Sequence, residues 1–259
     1  GSGTVTVSVN AGITGKGARG ISNEENAILK FDPSAEISGF QTGLHHSSSF
    51  DLTFSGIIQA IADGTGIFVA NGSDLEFKGT ITGAENDASG IGIDNAGTLD
   101  VTGGNVSRSA YGLRNLGTAT VSGGTISAGD TGARNLSGGT LKVSGGEITG
   151  SGANAVGILN RAAADADARI EGGTIKGAVG VDNIKDAEIT ITNGTITGSG
   201  EAAVRNAGTL TVSGGTFNAT TAGGAGILNM ENGKATLSET LTFSVHEGDG
   251  SAAVRARGS

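Results

Sequence analysis

The sequence of 259 residues has no cysteine and no tryptophan, and only one proline, one tyrosine and one methionine. Without cysteine there is no disulfide framework, no zinc-finger site and no thiol nucleophile. Glycine occupies 49 positions but follows no three-residue period, and with a single proline this excludes collagen. Basic residues are scarce, 16 Lys and Arg against 25 Asp and Glu, for a net charge of −9. Nucleic acids and anionic membrane surfaces select basic patches, so no nucleic-acid partner is expected. No apolar run reaches the roughly 18 residues of a membrane span, so no direct membrane insertion is expected, and no signal peptide is visible. Gly1-Ser2-Gly3 and Gly258-Ser259 read as added flanks. Residues 1–259 are therefore expected to be a single domain taken from a longer protein.

What the chain does contain is a repeat. The unit Gly-Ile-x-Asn-x-Gly-Thr-Leu-x-Val-x-Gly-Gly-x-Ile is well formed at Gly92 to Val106, Gly112 to Ile126, Gly132 to Ile148 and Ala203 to Phe217. The first apolar position recurs at Ile21, Leu44, Ile67, Ile93, Leu113, Ala133, Ile158, Val181, Val204, Ile227 and Val254. The steps are 23, 23, 26, 20, 20, 25, 23, 23, 23 and 27 residues. Each unit holds three short alternating runs: Gly-Ile-x-Asn, then an apolar pair such as Leu99 and Val101, then a run centred on one apolar residue. The third-run centres are read as Ile81, Val106, Ile126, Ile148, Ile175, Ile196, Phe217 and Leu241. Period two means strand, and glycine every few residues would break a helix. Three such strands make no core alone. Stacked coils do, each strand pairing in parallel with its copy one coil away. The expected fold is all-β: a right-handed parallel β-helix of about ten coils of about 23 residues, three short strands per coil. A propeller blade needs about 40 residues, and a hexapeptide solenoid needs a six-residue period that is absent.

One polar column runs through the repeat: Asn23, Asn95, Asn115, Asn135, Asn160, Asn183, Asn206 and Asn229, with His46 and Val69 at the same place in two early coils. The position follows an inward residue by two, so these amides are expected to point inward and hydrogen-bond as a structural ladder. The Gly-Gly pairs at 103–104, 123–124, 145–146, 172–173 and 214–215 read as tight corners needing positive φ. They lack the following helix and lysine of a phosphate loop.

Segments such as Gly208-Thr209-Leu210-Thr211-Val212-Ser213-Gly214-Gly215-Thr216-Phe217 resemble repeats of bacterial surface and secreted right-handed β-helix proteins. These include adhesin-like proteins and autotransporter passengers, within the pectate-lyase-like architecture. The resemblance implies an extracellular or cell-surface location, an adhesive or scaffold role, and host or matrix glycans and proteins as partners. It hands over no catalytic residue, because no matching motif is found. The architecture also serves carbohydrate-active enzymes and glycan-binding tailspikes, which stand as the alternative.

The outward column beside the asparagines carries the candidate ligand-facing residues Asp94, Arg114, Arg134, Asp182 and Arg205. Asp94 is expected beside Arg114 and Arg134, and Asp182 beside Arg205, either as ion-pair ladders or as part of a ligand groove. A glycosidase needs two carboxyl groups about 5–9.5 Å apart, whereas Asp94 and Asp182 should lie four coils apart. No catalytic set, cofactor site or metal site is expected. The acids of the variable connections (Asp63, Glu85, Asp87, Asp130, Asp165, Asp167, Glu201, Asp249) match no calcium motif. Threonine arrays on the second and third strands invite an ice-binding reading, but Asp100, Lys142, Glu147, Arg169, Glu171 and Lys176 interrupt them. Thr4 to Val9 reads as a second strand without a first, and Ala253-Val254-Arg255 as a first strand without a second. Open terminal coils of this kind invite end-to-end self-association.

Overall fold

The computed structural model describes residues 5–25, 27–85, 87–161, 167–248 and 250–258. Thr4, Asp165 and Asp249 lie outside the described residues. The chain is an all-β parallel solenoid of about 11 turns of about 23 residues, with no helix among the described residues. Every strand pairing is parallel and joins a strand to its copy one coil on. Ile91–Asn95 pairs with Thr65–Val69 on one side and with the Tyr111–Asn115 stretch on the other. Thr98–Val101 sits in the same way between Asp74–Phe77 and Thr118–Val121.

Alternation decides which side chains enter the core. Leu75, Leu99, Ala119, Leu141, Ala168, Ile189 and Leu210 form one buried column, and Phe54, Phe77, Val101, Val121, Val143, Ile170, Ile191 and Val212 form its neighbour. Aromatics concentrate near the ends of these columns. Phe54 meets Phe31 edge-on at 4.8 Å and stacks over Phe77 at 6.2 Å, and Phe217 stacks on Phe243 at 5.4 Å. The third-strand column follows Ile37, Ile58, Ile81, Val106, Ile126, Ile148, Ile175, Ile196 and Phe217.

Three details differ from the sequence reading. Phe243, not Leu241, continues the third-strand column, because Thr216–Ala219 pairs in register with Thr242–Val245. Both residues have the parity of the core face, and only pairing with the previous coil chooses between them. Most strands are short, but among the described residues six run longer than five residues: Ile13–Glu25, Glu36–Ser48, Asn105–Asn115, Thr125–Asn135, Asp167–Asn183 and Glu188–Asn206. Where a coil has only 20 residues, the third strand runs into the next first strand, as in Asn105–Asn115 and Thr125–Asn135, with register shifts at the corner. Leu228, which directly precedes Asn229 and so shares the outward position of Asp94 and Arg114, is fully buried: it packs with Ala202, Ala225 and Met230 in a small second cluster.

Glycine marks two corners for different reasons. The second glycine of each Gly-Gly pair has φ between 73° and 109°, the left-handed region expected for a tight turn (Gly104, Gly124, Gly146, Gly173, Gly215). The glycine before each first-strand core residue has a steric role. A Cβ on Gly112 would lie 2.3 Å from Ile126 Cγ2 and 2.6 Å from the Gly132 carbonyl oxygen. At Gly112 the backbone lies directly over the third-strand side chain, and a methyl there would overlap it.

Candidate functional site

The first strand of each coil positions both polar columns, one on each face. Inside, the asparagine ladder forms as expected. Each side-chain amide nitrogen donates to the amide oxygen one coil on: Asn95 to Asn115 at 2.8 Å, Asn115 to Asn135 at 2.8 Å, Asn135 to Asn160 at 3.1 Å. The series continues from Asn160 to Asn183 at 2.9 Å, Asn183 to Asn206 at 2.8 Å and Asn206 to Asn229 at 2.7 Å. The second amide hydrogen goes to turn carbonyls, such as Gly117 and Thr140 for Asn115. All members from Asn95 to Asn206 are fully buried, whereas Asn229 is half-buried. From Asn95 to Asn229 the ladder is a continuous hydrogen-bonded network.

His46 joins this ladder rather than merely replacing a member. The Asn23 amide nitrogen lies 3.1 Å from His46 Nδ1, and His46 Nε2 lies 3.0 Å from the Asp74 carbonyl oxygen. A carbonyl can only accept, so Nε2 carries the proton and Nδ1 accepts from Asn23. Burial is the main cause that holds the His46 pKa below its usual 6.5, which keeps the ring neutral. Val69 offers no hydrogen bond at the next coil, so the ladder is interrupted between His46 and Asn95.

Outside, the register runs Ser22, His45, Phe68, Asp94, Arg114, Arg134, Leu159, Asp182, Arg205, Leu228 and Arg255. Arg114 grips Asp94 with two bonds, Nε to Oδ1 at 2.8 Å and Nη2 to Oδ2 at 2.5 Å. Arg205 grips Asp182 in the same fork at 3.0 and 2.6 Å, and reaches Glu201 at 3.3 Å. Donating to the aspartates raises the pKa of both arginines. Asp94 is 5% exposed and Asp182 8%, so each carboxylate is held nearly out of water by its arginine.

Arg134 behaves differently from expectation. It does not pair with Asp94, from which Arg114 separates it in the register. Its guanidinium lies over the Tyr111 ring, 4.6 Å from the centroid, and its buried Nε has no hydrogen-bond partner. Nothing in the repeat unit signals this stack, because Tyr111 comes from the preceding coil at a position where other coils carry Thr65, Ile91 and Thr131. Farther along the same face, His45 stacks on Phe68 at 5.0 Å.

The corner connections carry a second polar cluster. A shallow groove of about 570 Å³ is lined by Glu85, Asp87, Arg108, Ser109 and Ser127 among others. Arg108 pairs with Glu85 at 3.3 Å. Asp87 Oδ1 is taken up by its own loop, accepting from the Ser89 and Gly90 amides at 3.1 and 2.8 Å. Among the described residues no group of three or more His, Asp or Glu side chains is placed to hold a metal ion. No helix among the described residues is long and apolar enough to cross a membrane. No protein-family model matches the chain, and no curated protein and no solved structure matches it either.

Proposed function

We propose that this chain is a non-enzymatic structural and adhesive module, displayed outside the cell as part of a bacterial surface protein. The observation that carries the reading is the state of the outward carboxylates. Asp94 and Asp182 are each consumed in a two-bond arginine fork, and they stand four coils apart in the register. At about 4.8 Å per coil this separation is roughly 19 Å, well outside the range of a paired acid and base. The rest of the coil is invested in repetition: a continuous apolar core and an internal amide ladder, the features of a rigid spacer. The cell-surface location rests on the resemblance of the repeat to adhesin-like and passenger β-helices. The partners are host or matrix glycans or proteins met on the rod's side faces.

The test has two arms. Purified chain is incubated with pectin, alginate and host-type glycans, and shortened products are sought; none is expected. Immobilised chain is then exposed to matrix proteins and glycans, with retention expected on at least one. Product release abolished by one carboxylate substitution would overturn the non-enzymatic reading. Ice binding is disfavoured by the charges in the middle of the second-strand face, where Thr120 stands between Asp100 on one coil and Lys142 on the next.

A further inference from the structure

We propose that Arg134 and Tyr111 form a carboxylate-binding point on the first-strand face, and that its ligand is an acidic saccharide. The inference rests on the non-enzymatic reading above and adds a site and a ligand class to it. Four arginines stand in the outward column. Arg114 is held by Asp94, Arg205 by Asp182 and Glu201, and Arg255 donates to the Gly223 carbonyl at 2.9 Å. Arg134 alone of the four has neither an acid nor a carbonyl partner among the described residues. Its cross-strand neighbours are Arg114, already neutralised, and Leu159, which has no charge. A guanidinium has five donors in a fixed fork. Here the innermost, Nε, is buried and unpaired. The stack on Tyr111 and the buried Nε hold the plane in place but satisfy no N–H, and the outer edge of the guanidinium, its two Nη groups, is left to meet an incoming acceptor.

The fork geometry matches a carboxylate, which can accept two parallel N–H bonds. The surroundings select what carries that carboxylate. Tyr111, under the guanidinium, and Leu159, its cross-strand neighbour, are half-buried and offer apolar surface suited to the C–H face of a sugar ring. A peptide strand has no edge to join, because the first strands at Tyr111 and Arg134 are hydrogen-bonded to neighbours on both sides. In a chain of net charge −9, an anionic ligand also needs a local cation that is not already spent.

Tri-galacturonate is titrated into the intact chain and followed by NMR shifts and calorimetry, with neutral tri-galactose and a tri-glutamate peptide as comparisons. Perturbation centred on Tyr111 and Arg134 is expected with tri-galacturonate, weakening as salt rises. Arg134→Gln should weaken it roughly tenfold or more. Arg134→Lys, which keeps the charge but loses the fork, should fall between. Lys142→Gln, on the second-strand face, should bind as the parent does. Unchanged melting midpoints show that the variants fold. Absence of binding by the parent chain, equal binding by Arg134→Gln, or tighter binding of the tri-glutamate peptide would each overturn the proposal. Recovery of shortened uronate would instead overturn the non-enzymatic reading while leaving the binding point standing.

Discussion

At the scale of single residues, the ladder makes each asparagine from Asn115 to Asn206 answerable to two neighbours. Asn135 accepts from Asn115 and donates to Asn160 and to the Gly139 carbonyl. In Asn135→Leu, Asn115 keeps its bonds to Gly117 and Thr140, but Asn160 Oδ1 and the Gly139 carbonyl lose a donor. The expected loss is about 1–3 kcal/mol, read as a lower denaturant midpoint with an unchanged slope; an unmoved midpoint would rule out a hydrogen-bonded ladder. His46 adds a pH dependence. Its folded-state pKa is depressed by burial, so its contribution is full above the unfolded value near 6.5 and is lost as pH falls towards the folded value. His45 is depressed too, first by burial and then by Arg19. Stability should therefore begin to fall as pH drops through about 6.5, above the range where Glu76 and Glu147 titrate. His46→Asn should flatten part of that slope in urea melts, and an identical slope would show that His46 does not titrate in this window.

At the scale of the strand, close approach and ion pairing set the limits. The glycine before each first strand lies against the third-strand side chain, so Gly112→Ala forces its methyl onto Ile126 and onto the Gly132 carbonyl. Overpacking of this kind costs about 1–3 kcal/mol, and calorimetry should show a lower melting temperature. Ala203 occupies the equivalent place naturally, so the close approach is not equally tight in every coil. The Arg114–Asp94 fork makes a second test. Arg114→Leu strands a carboxylate that is 7% exposed and should cost about 3 kcal/mol, the lower end for a broken buried pair, because the arginine is itself 37% exposed. Adding Asp94→Leu removes the orphaned charge and should recover most of the loss. A double variant no more stable than Arg114→Leu would contradict this account.

At the scale of the molecule, each coil touches only its neighbours, so stability accumulates along the rod rather than around one centre. Val7, Leu237 and Val254, in the first and last described coils, are 38–45% exposed although their equivalents in the middle are buried. Hydrogen exchange should therefore be slowest for amides of the central coils, around Leu113 to Ile196, and fastest at Val5–Val9 and Ala252–Ala256. Uniform protection from end to end would mean that the solenoid opens as one cooperative unit.

The sequence by itself determined the coil. A 20-to-27-residue period, alternation within each run and an asparagine at one fixed place allow only stacked parallel strands with the amides inside, because no other arrangement buries every apolar position and pairs every amide. It also located the tight corners, since a Gly-Gly pair is what a positive φ requires. Tertiary structure decided what depends on neighbours from other coils. Phe243 displaced Leu241 because cross-coil register, not parity, selects the core residue. Leu228 packed with Met230 because a connection folds over an outward face. Asp94 chose Arg114, while Arg134 turned to Tyr111, because a fork needs an acid one coil away and a ring one coil back offers the next-best surface. Such pairings arise between residues 20 or more positions apart, where the repeat fixes position along the axis but not which of several neighbours a long side chain will reach.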